Sequence, residues 1–160
     1  MDQFTHKADF WALLVPELSV RNLNQSLKFY RDTLGFVEKI SRPEDRFSYL
    51  EMGQAQIMID EIPEGAATSW QTGPLDAPLG RGINFQIEVQ NLHALHQRVG
   101  DAGYDIFQPL EIAWYRDGDH EHGQEQFLVQ DPDGYLLRFM QNLGKRPIRK
   151  QSHPLQDQRQ

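Results

Sequence analysis

No cysteine occurs among the 160 residues, which removes a disulfide framework, a thiol nucleophile and every thiolate metal site at once. Positive charge is also scarce: 16 lysines and arginines face 23 aspartates and glutamates, for a net charge of −7. That balance argues against nucleic acid as a partner and favours a neutral or cationic one. Long apolar runs are missing as well. None approaches the roughly 20 residues needed to cross a bilayer, and the opening MDQFTHKADFWALLVPEL has no basic stretch ahead of an apolar one. The expectation is a soluble, unprocessed, cytoplasmic protein with no membrane partner. Two catalytic signatures are absent too. GRGINF lacks a third glycine at phosphate-loop spacing, and no serine elbow is present.

What the chain does contain is the same local grammar written twice. In LLVPELSVRNLNQSLKFYRDTLGF, Leu14, Pro16, Leu18 and Val20 alternate with Val15, Glu17 and Ser19, as in a strand. Asn22 then caps a helix striped by Leu23, Leu27, Tyr30 and Leu34, and Gly35 ends it. Later, Ile83, Phe85, Ile87 and Val89 alternate with Asn84, Gln86 and Glu88; Asn91 caps, Leu92, Leu95 and Val99 form the stripe, and Gly103 closes. Val20-Arg21-Asn22-Leu23 thus returns as Val89-Gln90-Asn91-Leu92, which marks an internal duplication. Each helix is followed by strand pairs: FSYLEMGQAQIMIDE turns near Gly53, and QEQFLVQDPDGYLLRFM turns at Asp131-Pro132-Asp133-Gly134.

The fold class expected is therefore α+β. Two tandem βαβββ modules, about 12–62 and 82–143, form a cupped mixed sheet with helices on its outer face. Together they make a single domain over 1–143, large enough to bury roughly 70% of its extended-chain surface. Residues 63–81, rich in Gly, Pro, Ala and Thr, read as a linker or flap. QPLEIAWYRDGDHEHGQ reads as an irregular insert, and 144–160 as a mobile tail whose basic residues do not outweigh the acidity of the rest.

The paired modules, the pattern S-x-x-FY-x-x-x-LGF from Ser26 and the DPDG hairpin together resemble the vicinal oxygen chelate superfamily of glyoxalase I, extradiol dioxygenases and bleomycin resistance proteins. The resemblance spans residues 14 to 143 and implies a cavity lined by both modules. In the superfamily's enzymes a divalent metal is held by a histidine or glutamine on the first strand of each module and a glutamate near each module's end. Carried over one at a time, those positions fall on Val15, Met58, Asn84 and Arg138. Valine has no donor, a thioether suits soft copper, asparagine offers one neutral carbonyl, and a guanidinium repels a cation. The departure removes the basis for the enzymes' metal chemistry. What remains resembles the bleomycin resistance branch, which binds a drug without metal or turnover. The resemblance further implies a homodimer, often with exchanged N-terminal arms, and no cofactor.

Alternation supplies the rest of a ligand-site list. Glu17, Gln86 and Glu88 share a side with the four positions just named, and Asp60 joins Met58. Arg138 is expected either to neutralise Glu17 or another acid or to face the ligand. Trp114 and Tyr115 in the insert, like Trp70 in the linker, read as loop aromatics that pack or stack on a flat ligand. Phe47 and Tyr49, alternating in a strand, read as core or interface lining. Trp11 anchors the N-terminal arm. His93 and His96 are three apart but lie on the polar face of a helix. His120 and His122, with Asp117, Asp119 and Glu121, form a solvated loop cluster able to take up a metal adventitiously. The first reading is a metal-independent protein that sequesters a planar or cationic small molecule, a bleomycin-like drug among the candidates, and so confers antibiotic resistance. The alternative is a lyase, isomerase or dioxygenase with a displaced metal on Glu17, Asp60 or the His120 to His122 cluster. A third reading is a binding module for an endogenous metabolite.

Overall fold

The computed structural model describes residues 10–64 and 70–148. The order of elements is β1 (Glu17–Val20), α1 (Leu23–Leu27, continued by a π-helical stretch Lys28–Leu34), β2 (Val37–Arg42), β3 (Phe47–Met52) and β4 (Ala55–Glu61). The second module repeats it with β5 (Asn84–Glu88), α2 (Leu92–Asp101), β6 (Ile106–Asp117), β7 (His120–Gln130) and β8 (Leu136–Pro147). Each module forms one mixed four-stranded sheet, ordered β1-β4-β3-β2 and β5-β8-β7-β6. The helix carries the chain from one edge of the sheet to the other. Two hairpins then bring it back, so the last strand pairs parallel with the first. This is the α+β, two-module architecture expected.

The helix signals act as read. The Asn22 and Asn91 side chains accept hydrogen bonds from the Gln25 and Ala94 amides, and Gly35 adopts φ 91° where the first helix ends. Phe29, Tyr30 and Leu34 from one helix and Leu92, Leu95 and Val99 from the other join Leu50, Ile59, Phe127, Leu137 and Phe139 in one continuous core. Each large apolar side chain buried there stabilises the fold by roughly 1.5–3 kcal/mol. The modules are tied together at polar points. Arg98 donates to the carbonyls of Thr33 and Leu34 at 2.6 and 2.8 Å, satisfying the C-terminal end of the first helix. The DPDG turn receives Arg21 and Tyr30 from the other module: Arg21 Nε reaches Asp133 at 2.6 Å and the Tyr30 hydroxyl donates to Asp131 at 2.9 Å.

Several local expectations change. Leu14 and Ile83, read as the first apolar residues of alternating strands, lie ahead of those strands and are exposed, because pairing starts only at Glu17 and Asn84. The stretch read as an irregular insert is a long regular hairpin, β6 and β7, turning between Asp117 and His120. Glycine, proline and charge suggested a loop, but a partner strand satisfies the backbone and that decides the conformation. β8 likewise continues to Pro147, past residue 143, pairing with His120. Linker residues near 78–80 are anchored rather than flap-like. Leu79 is buried, its amide donates to the Asp133 carbonyl, and a side chain at Gly134 would meet Pro78 Cβ at 2.4 Å. The exchanged N-terminal arm before residue 10 and the tail from residue 149 lie outside the described residues.

Candidate functional site

Each sheet has one face free of helices, and the register decides what that face carries. In the first module the ladder sets Glu17 beside Met58, Met58 beside Tyr49, and Tyr49 beside Ile40. The next row is Ser19, Asp60, Phe47 and Arg42. The second module repeats the relation, with Gln86 beside Arg138 where the first has Glu17 beside Met58. Met58 and Arg138 are therefore equivalent positions of the duplication, as are Val15 and Asn84. The two sheets bear contrasting charge at those positions.

The first face is acidic and partly covered. Burial raises the carboxyl of Glu17 above its ordinary value, and the charge of Asp60 raises it further, while Arg42 opposes both. Burial likewise raises Asp60, with Arg42 again opposing. Arg42 lies 4.0 Å from the Phe47 ring, so its guanidinium caps that aromatic. The chain's own residues 10–12 lie across the row above. The Phe10 carbonyl accepts from Lys39 and Gln56, the Ala12 amide donates to Gln56, and the Trp11 ring meets Tyr49 edge-on at 5.2 Å. Phe47 and Tyr49 are buried within the chain, Met58 and Asp60 are half-buried, and Glu17, Ile40 and Arg42 are the exposed part of this face.

Both raised carboxyls have folded values above their unfolded ones. Any stability they supply is therefore present in acid and lost as pH rises through the folded values. Asp60→Asn is accordingly expected to stabilise the protein at neutral pH by up to about 0.5 kcal/mol, the site being only partly desolvated. The gain should shrink in acid and in high salt. Carboxylate titration by NMR should show the Glu17 midpoint moving down in the variant. An unmoved midpoint would show that the two groups do not sense each other.

The second face is a web of amides around one guanidinium. Gln124 donates to Gln126 at 2.5 Å and to Gln86 at 3.4 Å, and Gln126 donates to Glu111 at 2.7 Å and to the Tyr115 oxygen at 2.9 Å. Arg138 sits between Gln86 and Leu128 in the ladder. Its Nε is buried, and among the described residues no hydrogen-bond acceptor meets it. No ion pair among the described residues joins Arg138 to Glu17 or Asp60, so the neutralising pair expected from the sequence does not form within the chain. The reason is topological: those acids belong to the other module's sheet.

The structure brings together Gln86, Tyr115 and Arg138, with Asn84 two residues along the same strand. Trp114 is directed elsewhere. It alternates with Tyr115 on β6, so its ring lies on the opposite face, where it covers Gly123 and is itself capped by Arg146 at 3.8 Å. A side chain at Gly123 would meet that ring at 2.6 Å. Trp70 is exposed away from these contacts. His93 binds Glu125 and His96 packs edge-on to Phe127, whereas His120 and His122 each bind a neighbouring aspartate at the β6–β7 turn. Among the described residues no three His, Asp or Glu side chains gather as a metal would need. Val15, Met58, Asn84 and Arg138 do not fit a hard or borderline cation either.

Four contributors escaped the sequence reading: Arg42, Glu111, Gln124 and Gln126. The alternation Gln124-Glu125-Gln126 was a legible signal of a polar strand face, whereas nothing local distinguishes Arg42. A groove of about 730 Å³ also runs between the modules, from Met52 and Gln54 to Gln86, Glu88 and Arg98. It shares Gln86 with the second face, and its volume suits a drug-sized molecule.

Residues 12–139 match the family model described as Glyoxalase/Bleomycin resistance protein/Dioxygenase superfamily. A bleomycin resistance protein from Geobacillus stearothermophilus is 28% identical over 140 residues, covering 81% of this chain and 96% of the relative. A lactoylglutathione lyase from Neisseria meningitidis is 29% identical over 132 residues, covering 81% and 89%. Among solved structures, a protein of unknown function from Agrobacterium tumefaciens is 27% identical with a TM-score of 0.62, covering 84% of this chain and 97% of that one.

Proposed function

We propose that this chain, which belongs to the glyoxalase/bleomycin resistance protein/dioxygenase superfamily, is a metal-independent protein that binds and sequesters a planar or cationic small molecule. The observation that carries this reading is the donor set at the four metal positions: Val15, Met58, Asn84 and Arg138 supply neither imidazole nor carboxylate. The acidic first face, where Glu17 and Asp60 lie close enough for the charge of Asp60 to raise the Glu17 carboxyl, supports a cationic group on the ligand. Similarity to proteins named bleomycin resistance protein supports a drug of that type, and hence a role in antibiotic resistance. The working form is a cytoplasmic homodimer. Each sheet leaves two open edges, and Leu13, Leu14, Ile83 and Phe107 are exposed for burial against a second copy.

Similarity to lactoylglutathione lyases favours a second reading, an isomerase or lyase with a displaced metal. The pairing of His120 and His122 with separate aspartates counts against it. Calorimetric titration of chelator-stripped protein with metal-free bleomycin separates the two. Saturable binding, unchanged by added zinc or nickel and accompanied by a dimer mass in light scattering, is the expected result. A full equivalent of metal that survives dialysis and supports turnover would sink the binding reading. Saturation by planar cationic metabolites in place of bleomycin would reassign the ligand and leave the mechanism standing.

A further inference from the structure

We propose that the second-module face is an anion subsite, in which Arg138 receives a carboxylate or sulfonate of the bound ligand; this rests on the small-molecule binding reading above. The ligand then carries an acidic group as well as the planar or cationic part.

Arg138 is half-buried, and its Nε is sealed within the fold. Arginine stays protonated in proteins and presents its N–H groups in a planar fork that matches a carboxylate or sulfonate. An N–H sealed from water with no acceptor is costly. Arg138 Nε is the single buried side-chain nitrogen or oxygen left so among the described residues. The half-buried cation Lys39 is satisfied by the Phe10 carbonyl and Glu51, and even the more exposed Arg98 meets two carbonyls. The neighbouring acceptors do not meet Nε and are turned to one another instead. Gln126 Oε1 takes Gln124, Glu111 Oε1 takes Gln126, and Gln86 Oε1 lies within reach of Gln124. These amides hold one another in place and leave Nε of the guanidinium without an acceptor among the described residues. Such preorganisation favours a charged acceptor brought by a ligand, in a bidentate contact.

Two dyes of the same planar shape test this, anilinonaphthalene sulfonate and its uncharged parent phenylnaphthylamine. Both should saturate the wild-type dimer. Arg138→Gln is expected to weaken the sulfonate about tenfold or more, as loss of a charge-assisted hydrogen bond does, and to leave the parent dye unchanged. Arg138→Lys, which keeps charge but loses the fork, should fall between and remains informative should the glutamine variant not fold. Benzoate, but not benzamide, should displace the sulfonate. Arg116→Gln, on the opposite face of β6, should alter neither dye. If both dyes bind and Arg138 variants treat them alike, the anion subsite is wrong while the binding reading survives. If neither dye saturates, both fall. If Arg138→Gln instead dissociates the dimer without changing the ratio of dye affinities, the acceptor is a carboxylate of a second copy and the subsite is overturned.

Discussion

Arg138→Glu is expected to yield a protein that still holds no tight divalent metal, although it restores the residue type found in the superfamily's enzymes. Val15 contributes no donor, Met58 only a thioether and Asn84 one neutral oxygen, so a single new carboxylate leaves a borderline cation far short of four ligands. Elemental analysis after dialysis against zinc or nickel should find much less than one equivalent. The same variant should lose affinity for anionic dyes by about a hundredfold, since attraction is replaced by repulsion in a partly desolvated site. Its effect on stability is expected to stay within about 1 kcal/mol, because Arg138 has no acidic partner among the described residues to orphan. A full equivalent of metal together with lyase or dioxygenase activity would show the scaffold to be an enzyme one residue away from competence.

Asp131→Ala is expected to cost about 4 kcal/mol, a large part of the stability of a domain this size. One oxygen of Asp131 accepts the amides of Asp133, Gly134 and Tyr135 at 2.8–2.9 Å, and the other accepts the Tyr30 hydroxyl. Burial pushes this carboxyl up, while the bonds from Tyr135, Tyr30 and Asp133 pull it back. Alanine would strand those donors inside the junction between modules, each at roughly 1–3 kcal/mol before relaxation. Asp131→Asn keeps an acceptor and should lose less. Tyr30→Phe, which removes one bond and leaves the three amides satisfied, should cost about 1 kcal/mol. Urea denaturation with unchanged slope is the measurement. A loss below 1 kcal/mol for alanine would mean that water reaches the turn and the junction contributes little.

Much of this architecture was legible from local pattern. The alternation and helical stripe recur in the same order in both modules, Asn22 and Asn91 cap as polar side chains do, and the DPDG run can scarcely be anything but a turn. The poor donor set at the four positions was legible too, since side-chain identity alone decides whether Val15 or Arg138 can coordinate. The loop assigned to 108–124 was misleading because its composition is turn-like while its backbone is satisfied by β7. That error carried Trp114 into the ligand list.

Alternation over two to four residues is a local property, so it assigned Glu17, Gln86 and Arg138 to one kind of face before any fold was known. Which faces meet is not local. Partners more than 60 residues apart set the junction of Arg98 with Thr33 and Tyr30 with Asp131, while strand pairing within each module put the acids and Arg138 on different sheets. Tertiary structure alone also showed that residues 10–12 cover Tyr49, that Trp114 serves Gly123, and that glutamines engage one another and leave Arg138 Nε without an acceptor. Hydrogen-bond satisfaction is a sum over neighbours in space, and one dimension does not contain it.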